Sequence, residues 1–306
     1  MSIRRFGPYS VDVSRETKIL FPADDISKGE LLDYYQSVAP AMLPHLKDRP
    51  LTLQRFPDGI EEEGFFQKAA PDYFPDWIPR ARIPLEKGEA QDQVVATNTA
   101  TLVYLANQAA VTPHVWLSRT DDLRSPDRMV FDLDPSGEDF GPVREASLAL
   151  GDLLEGVGLH PFFMTTGGSG GHVWTPLRRD SDFEAVRDFA GEVAGALARE
   201  RPQSFTTEIR KKKREDRLYL DVSRNAFGQT VVAPYAVRAR PGVPVATPLE
   251  WDELEEGSTT AQTYTLRSIP RRLGQKKDPW KGMGARAGSL NRAREIWEER
   301  MKEGEE

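Results

Sequence analysis

Three aspartates have the spacing for metal-assisted chemistry: Asp132 and Asp134 in Met129-Val130-Phe131-Asp132-Leu133-Asp134, and Asp221 closing Leu218-Tyr219-Leu220. Side chains alternate faces along a strand, so Asp132 and Asp134 project together while Met129, Phe131 and Leu133 pack behind them. Asp221 repeats the pattern. Carboxylates on apolar strands repel one another and lose hydration, a cost that a divalent cation offsets and that no lysine is evidently placed to offset. A bare Asp-x-Asp is nonetheless common, and Asp134-Pro135-Ser136-Gly137 also reads as a strand ending in an ordinary turn.

A second element changes the weighting. Phe162-Phe163-Met164-Thr165-Thr166 leads into Gly167-Gly168-Ser169-Gly170-Gly171-His172 and then Val173-Trp174-Thr175-Pro176-Leu177, a strand, a Gly-rich turn and a strand. Glycines let backbone amides converge on an anion, and Thr166, Ser169 and His172 have the groups to complete a phosphate cradle. A flexible hairpin loop is the plainer account of the turn alone. An acidic strand and a phosphate-binding turn together supply the parts for phosphoryl or nucleotidyl transfer.

The strand Val130-Phe131-Asp132-Leu133-Asp134-Pro135, the turn ending Gly170-Gly171-His172, and the run Leu220-Asp221-Val222-Ser223 through Val232-Ala233-Pro234-Tyr235 to Arg238-Ala239-Arg240 resemble the polymerase domain of bacterial ligase D, of the archaeo-eukaryotic primase superfamily. The similarity runs from about Val11 to about Arg272, with the motifs in the same order. It implies a primase-polymerase-like core with central mixed or antiparallel sheets flanked by helices. It also implies one catalytic domain over 1–306, with lobes near 1–120 for template contacts and 121–272 for metal and nucleotide, and a helical tail at 273–306.

Composition agrees with a folded globule: 306 residues, 39% hydrophobic, with 6 Trp and 14 Phe. Zero cysteine excludes disulfides and cysteine-held zinc, and 4 His make a histidine-rich cage a poor expectation. The start lacks the apolar core of a signal peptide and no stretch approaches a membrane span, so the expected location is the cytosol, at the nucleoid, with no membrane partner. A net charge of −7 is unusual for a nucleic-acid protein, but Arg210-Lys211-Lys212-Lys213-Arg214 concentrates positive charge just before the Asp221 strand while 297–306 is acidic. Such a run is commonly a solvated loop.

The elements that must position these residues are readable in outline. Ser27-Lys28-Gly29-Glu30 is a capping box opening a helix expected to kink at Pro40 or stop before Pro44. Leu51-Thr52-Leu53-Gln54-Arg55-Phe56 and Gly64-Phe65-Phe66-Gln67-Lys68 read as strands, and Asn98 to Ala109 as a helix. Prolines 75, 79 and 84 predict an irregular loop between Tyr73 and Gln93. Pro142 to Val157 predicts a third helix, Ser181-Asp182-Phe183-Glu184 caps a fourth running to about Arg199, and Thr247-Pro248-Leu249-Glu250 predicts the start of a short fifth. Helices and strands mix without a regular βαβ repeat, which makes the class α+β.

The resemblance carries roles residue by residue. Asp132, Asp134 and Asp221 match a catalytic, metal-binding triad, implying two divalent ions, Mn²⁺ favoured over Mg²⁺. Thr166, Ser169, His172, Gln229 and Arg238 match positions around the nucleoside triphosphate, and His114 matches a histidine near the incoming sugar, associated with ribonucleotide use. Lys18, Lys28, Arg55, Phe65, Phe66, Lys68 and Arg214 match a DNA-binding set, the two phenylalanines as stacking platforms. The plainer readings stand beside these. Thr166 and Ser169 can serve only the loop backbone, and His114 before Val-Trp-Leu reads as a buried structural histidine. Phe65 and Phe66 are adjacent on a strand, so at least one is expected in the core.

Departures from the family pattern shift charge. Thr166 stands where Ser is common and Ser169 where Lys is common; Gln54 replaces a Lys and Arg15 an Asn near the 5′-phosphate pocket; Gln229 replaces Lys and Arg224 replaces Gln. No adenylating Lys-x-Asp-Gly motif is present, so nick sealing by that chemistry is not expected of this polypeptide, a stand-alone relative or an excised domain. The expected activity is template-dependent addition of rNTP or dNTP to a primer 3′-hydroxyl at DNA gaps or broken ends bearing a 5′-phosphate, in end joining, with Ku and a separate ligase as partners. The alternatives are a primase-polymerase that starts chains de novo, a noncatalytic DNA-end binding module, and a metal-dependent phosphohydrolase, the last lacking an obvious base to activate water.

Overall fold

In the computed structural model, which describes residues 2–85 and 88–303, the alternating run forms the strand Arg128–Asp134. Among the described residues it lies inside a six-stranded sheet. From edge to edge the strands are Phe205–Thr206, Leu218–Asp221, Arg128–Asp134, Gly171–Pro176, Phe162–Thr165 and Thr247–Leu249. Phe205–Thr206 runs parallel to Leu218–Asp221, and the pairings on either side of Arg128–Asp134 are antiparallel, so the sheet is mixed and the class α+β.

One face of this sheet is apolar because Met129, Phe131, Leu133, Phe163 and Val173 all point to it, and each is fully buried. Helices Gly141–Gly156 and Phe183–Glu200 cover that face with Val143, Ala146, Leu150 and Leu154, and with Val186, Phe189, Ala190 and Val193, both sets at helical spacing. Each large side chain buried there contributes about 1.5–3 kcal/mol. The cap of the second helix is Asp182, whose Oδ1 accepts from the Ala185 amide at 2.9 Å. Beyond the end of the Leu218–Asp221 strand, the exposed ladder of Val130 is closed by a side chain. Buried Asn225 accepts from Val130 N at 2.9 Å and donates to Val130 O at 2.7 Å.

The chain forms two compact units. The first takes in the described residues of 1–121, 230–247 and 262–278, and the second those of 122–229, 248–261 and 279–306. The six-stranded sheet's central strands and their helices lie in the second. The first contains a four-stranded antiparallel sheet in the order Thr230–Val232, Ala110–Trp116, Leu51–Arg55 and Phe65–Gln67, with helices Lys28–Leu46 and Thr99–Asn107 packed together.

Several expectations are corrected. Lys28–Leu46 opens with the expected capping box but does not stop before Pro44. Both prolines lie on the exposed side, where freed carbonyls meet water, and the buried side carrying Val38, Ala39, Met42 and Leu46 holds the helix together. The segment expected to be an irregular loop contains a hairpin, Arg80–Ile83 with Gln91–Val94. Pro79 and Pro84 flank its first strand, so neither removes a ladder donor. Thr247–Leu249 is an edge strand rather than a helix start, and an edge is where a sheet tolerates a proline such as Pro248. The short helix begins later, at Trp251–Glu255, capped by Glu250. Among the described residues, no helix is long and apolar enough to cross a membrane.

Candidate metal and nucleotide site

The antiparallel register sets Asp132 directly opposite Asp221 and Asp134 opposite Tyr219. Directly opposed residues share a face, and so do residues two apart on one strand. Asp132, Asp134 and Asp221, from segments almost 90 positions apart in sequence, are therefore carried on one face of one sheet. His172 joins them, since it is paired with Asp132 on the other neighbouring strand.

The repulsion among these carboxylates is offset by side chains that the local sequence does not reveal. Arg214 NH1 reaches Asp134 Oδ2 at 2.7 Å, Arg224 Nε lies 3.7 Å from Asp132 Oδ2, and His172 Nε2 lies 3.3 Å from Asp132 Oδ1. Asp221 Oδ1 accepts from the Ser223 amide at 2.8 Å and from the Tyr219 hydroxyl at 3.3 Å. Burial, followed by the charge and hydrogen bond of Asp221, pushes the Tyr219 phenol up to about 12, so it remains a donor.

Arg214, which the resemblance places in the DNA-binding set, is buried. Its guanidinium lies 4.0 Å from the centroid of the Tyr219 ring and donates to the carbonyls of Glu208 and Ile209 as well as to Asp134. Lys211, Lys212 and Lys213 of the same basic run are exposed.

Among the described residues no three His, Cys, Asp or Glu side chains converge as a finished ion cage. The backbone nevertheless supplies three carboxylates on one face, and an all-oxygen donor set suits a hard divalent ion such as Mg²⁺ or Mn²⁺. The donor chemistry fits such an ion once Asp134 and Asp132 turn from their arginines.

The Gly-rich turn is bonded to itself. The Thr166 hydroxyl donates to Gly170 O at 3.0 Å and accepts from the Gly168 amide at 3.2 Å, which is the plainer of the two readings for Thr166. Gly170 passes so close to the neighbouring strand that a Cβ there would sit 1.9 Å from Leu133 O. Ser169 is exposed at the tip and Gln229 is exposed elsewhere in the second unit. Sequence reading missed Trp174. Its indole Nε1–H donates to His172 Nδ1 at 3.3 Å, leaving Nε2 as the protonated nitrogen that faces Asp132. The signal was the two-residue spacing of His172 and Trp174 on one strand.

The remaining predicted residues belong to the first unit. His114 is half-buried on the Ala110–Trp116 strand, its ring edge-on to Phe66 at 5.5 Å, and Arg238 is partly exposed. Phe65 and Phe66 are both on the surface, 46% and 59% exposed, against the expectation that one packs in the core. Phe65–Gln67 is a three-residue edge strand. Arg55 stacks on Phe65 and is held by Gln67 and Tyr73, and Lys68 is exposed. Lys28 is 5% exposed and donates to Asn107 Oδ1 at 2.8 Å, while Lys18 pairs with Asp58 at 2.7 Å. The Lys18 ammonium holds the Asp58 carboxyl below its ordinary value.

Comparison with known proteins decides the family. The sequence profile of the LigD primase-polymerase domain matches residues 27–280. The chain belongs to the LigD primase-polymerase domain family. It is 34% identical over 279 residues to the multifunctional non-homologous end joining protein LigD of Pseudomonas aeruginosa, covering 90% of this chain and 33% of that protein. It is 32% identical over 265 residues to the bifunctional LigD of Bacillus subtilis, covering 86% of this chain and 42% of that protein. The chain thus spans from about a third to just over two fifths of the length of these LigD relatives. A solved structure of the polymerase domain of Mycobacterium tuberculosis ligase D in complex with DNA matches with a TM-score of 0.84 at 30% identity, covering 91% of this chain and 99% of that one. The LigD polymerase fold therefore accounts for nearly all of this chain, including the sheet that carries Asp132, Asp134 and Asp221.

Proposed function

We propose that this chain is a nucleotidyltransferase that adds nucleotides to a 3′-hydroxyl on DNA, in the repair of broken ends by non-homologous joining. The observation that carries the reading is the pairing of Asp132 with Asp221 across adjacent strands, with Asp134 on the same face. Asp132, Asp134 and Asp221 would hold two divalent ions, Mn²⁺ or Mg²⁺, and bound there these supply Lewis acidity toward the attacking hydroxyl and the departing pyrophosphate.

The chain's own residues prepare that state. Arg214 and Arg224 hold the carboxylates in its absence and give them up on loading. His172, its tautomer fixed by Trp174, presents an Nε2–H donor that can pass from Asp132 to a phosphate oxygen. His114, Thr166, Ser169, Gln229 and Arg238 are assigned to rNTP or dNTP by family position. Phe65 and Phe66, exposed and apolar, support base stacking, and Lys18, Lys28, Arg55 and Lys68 supply charge for the DNA backbone or a 5′-phosphate. Ku and a separate ligase are the partners this role requires at a break.

Extension of a primer across a gapped duplex, with rNTP or dNTP in Mn²⁺ or Mg²⁺, tests the reading. The double variant Asp132→Ala with Asp134→Ala is expected to lose at least ~10³-fold in rate. The engagement of the triad by Arg214, Arg224 and His172 favours a second reading, a DNA-end binding module whose aspartates are structural. No extension by either protein, with DNA ends still bound, selects that second reading, and equal extension by both removes Asp132 and Asp134 from the chemistry.

A further inference from the structure

Away from the aspartate face, the second unit holds a recess of about 520 Å³ whose lining carries Arg178, Arg286, Arg292 and His160 and, among the described residues, no acidic side chain. In a chain with net charge −7 and 48 Asp and Glu, such a wall runs against the average surface. We propose that this recess binds a phosphate group, carried either by a nucleic-acid strand or by a free nucleotide.

The recess is built by close packing rather than by loose loops. Arg178 N donates to Gly288 O at 2.7 Å and Gly288 N to Pro176 O at 3.1 Å, so residues 286–289 are laid against the end of the Gly171–Pro176 strand. A Cβ on Gly288 would meet Leu159 Cδ2 at 2.6 Å, so a larger residue there would require the Leu159 side chain to shift. Ser289 donates to Asp180 Oδ2 at 2.6 Å and accepts from the Arg292 amide at 3.3 Å, which fixes the start of helix Leu290–Glu303.

On this frame the guanidinium heads of Arg178 and Arg286 and the imidazole of His160 stand exposed. Arg292 is also exposed and shares one NH1 with Glu295 at 3.1 Å. Guanidinium forks match phosphate oxygens in pairs, and like charges gathered round one cavity repel until an anion enters. Val157 and Ile296 add an apolar wall, and the volume is that of a small-ligand pocket, large enough for a nucleotide. Ala285 to Ile296 of the lining lie beyond the 27–280 matched by the LigD profile, Val157, Gly158, His160 and Arg178 lie within it, and none of the three aspartates lines the recess.

The test uses the whole chain in EDTA, so that ion-held nucleotide at the aspartates does not contribute and the result stands apart from the polymerase reading. Wild type, the triple variant Arg178→Ser, Arg286→Ser, Arg292→Ser, and a control triple variant Arg187→Ser, Arg199→Ser, Lys302→Ser are compared. All six positions are exposed. Anisotropy of a labelled single-stranded oligonucleotide reports the strand, and calorimetry with tripolyphosphate reports the free ligand. The recess variant is expected to lose about three- to tenfold in affinity for at least one probe. If the probe that responds is the oligonucleotide, the salt slope should also fall by ~0.7 per lost phosphate contact. Loss with the oligonucleotide alone identifies a strand as the source; loss with tripolyphosphate identifies a free nucleotide. No loss with either probe, or the same loss in the control variant, overturns the proposal.

Discussion

The indole of Trp174 donates to the imidazole of His172 at 3.3 Å from within the same strand. Because the opposite imidazole nitrogen faces Asp132, a wholly buried tryptophan decides which proton the aspartate face sees. Trp174→Phe keeps a ring beside Trp280 and Arg128 but removes the donor. The expected outcome is a five- to tenfold loss in extension rate, about 1–1.4 kcal/mol, with stability lowered by about 1 kcal/mol. Nitrogen NMR of His172 checks the cause: the tautomer should become mixed, and an unchanged tautomer with an unchanged rate removes Trp174 from the mechanism.

Arg214 occupies the carboxylate that an ion would need. Arg214→Gln removes the competing charge, and the affinity for Mn²⁺, followed by paramagnetic resonance, is expected to rise about tenfold, a change of ~1.4 kcal/mol. Unchanged or weaker Mn²⁺ binding would show that Asp134 is not one of the ion's ligands.

Phe65 and Phe66 leave little stability at stake because both rings already face water. Replacing both with Ala is expected to alter the unfolding free energy by less than about 0.5 kcal/mol for each exposed ring. Binding of template strand should weaken by about 1–3 kcal/mol for each stacked base lost. Denaturant titration and anisotropy on the same variant separate the two, and retained DNA affinity excludes these rings as a platform.

Burial, then the charge of Arg15, holds the Lys28 ammonium below its ordinary value of 10.5, with Lys18 adding to the effect and Glu16 opposing it. Between that depressed value and 10.5 the unfolded chain keeps a proton the folded chain has released, so this group favours folding increasingly as pH rises through the window. Phosphate binding needs the proton, so affinity for a 5′-phosphorylated end should decline at a lower pH than an ordinary lysine would allow. Lys28→Gln should flatten that dependence, measured as Kd against pH with and without the 5′-phosphate. Identical pH curves for variant and wild type would assign the phosphate to other residues.

The carboxylate strand was legible in sequence because its two-residue period is written in Phe131, Asp132, Leu133 and Asp134 themselves. The opposition of Asp221 and Asp132 was legible only through the resemblance, since register is a property of two distant segments. The burial of Arg214 was not legible because a five-residue basic run has the same composition whether all or four of its members face water. Asn225 left no signal, as its bonds to Val130 span 95 positions. Pro44 misled because propensity weighs a residue without knowing which side of the helix is wet.

The interleaving of the two units constrains how this polypeptide can be divided. Five passages of the chain from one unit to the other mean that neither half is encoded by a continuous stretch. A cut after residue 229 would strip the first unit of Thr230–Val232, exposing a bare edge on Ala110–Trp116, and of Tyr235, which accepts from the Tyr34 hydroxyl through its carbonyl. Both units must therefore be synthesised before either can be complete, and a single crossover between homologous genes cannot exchange one unit whole.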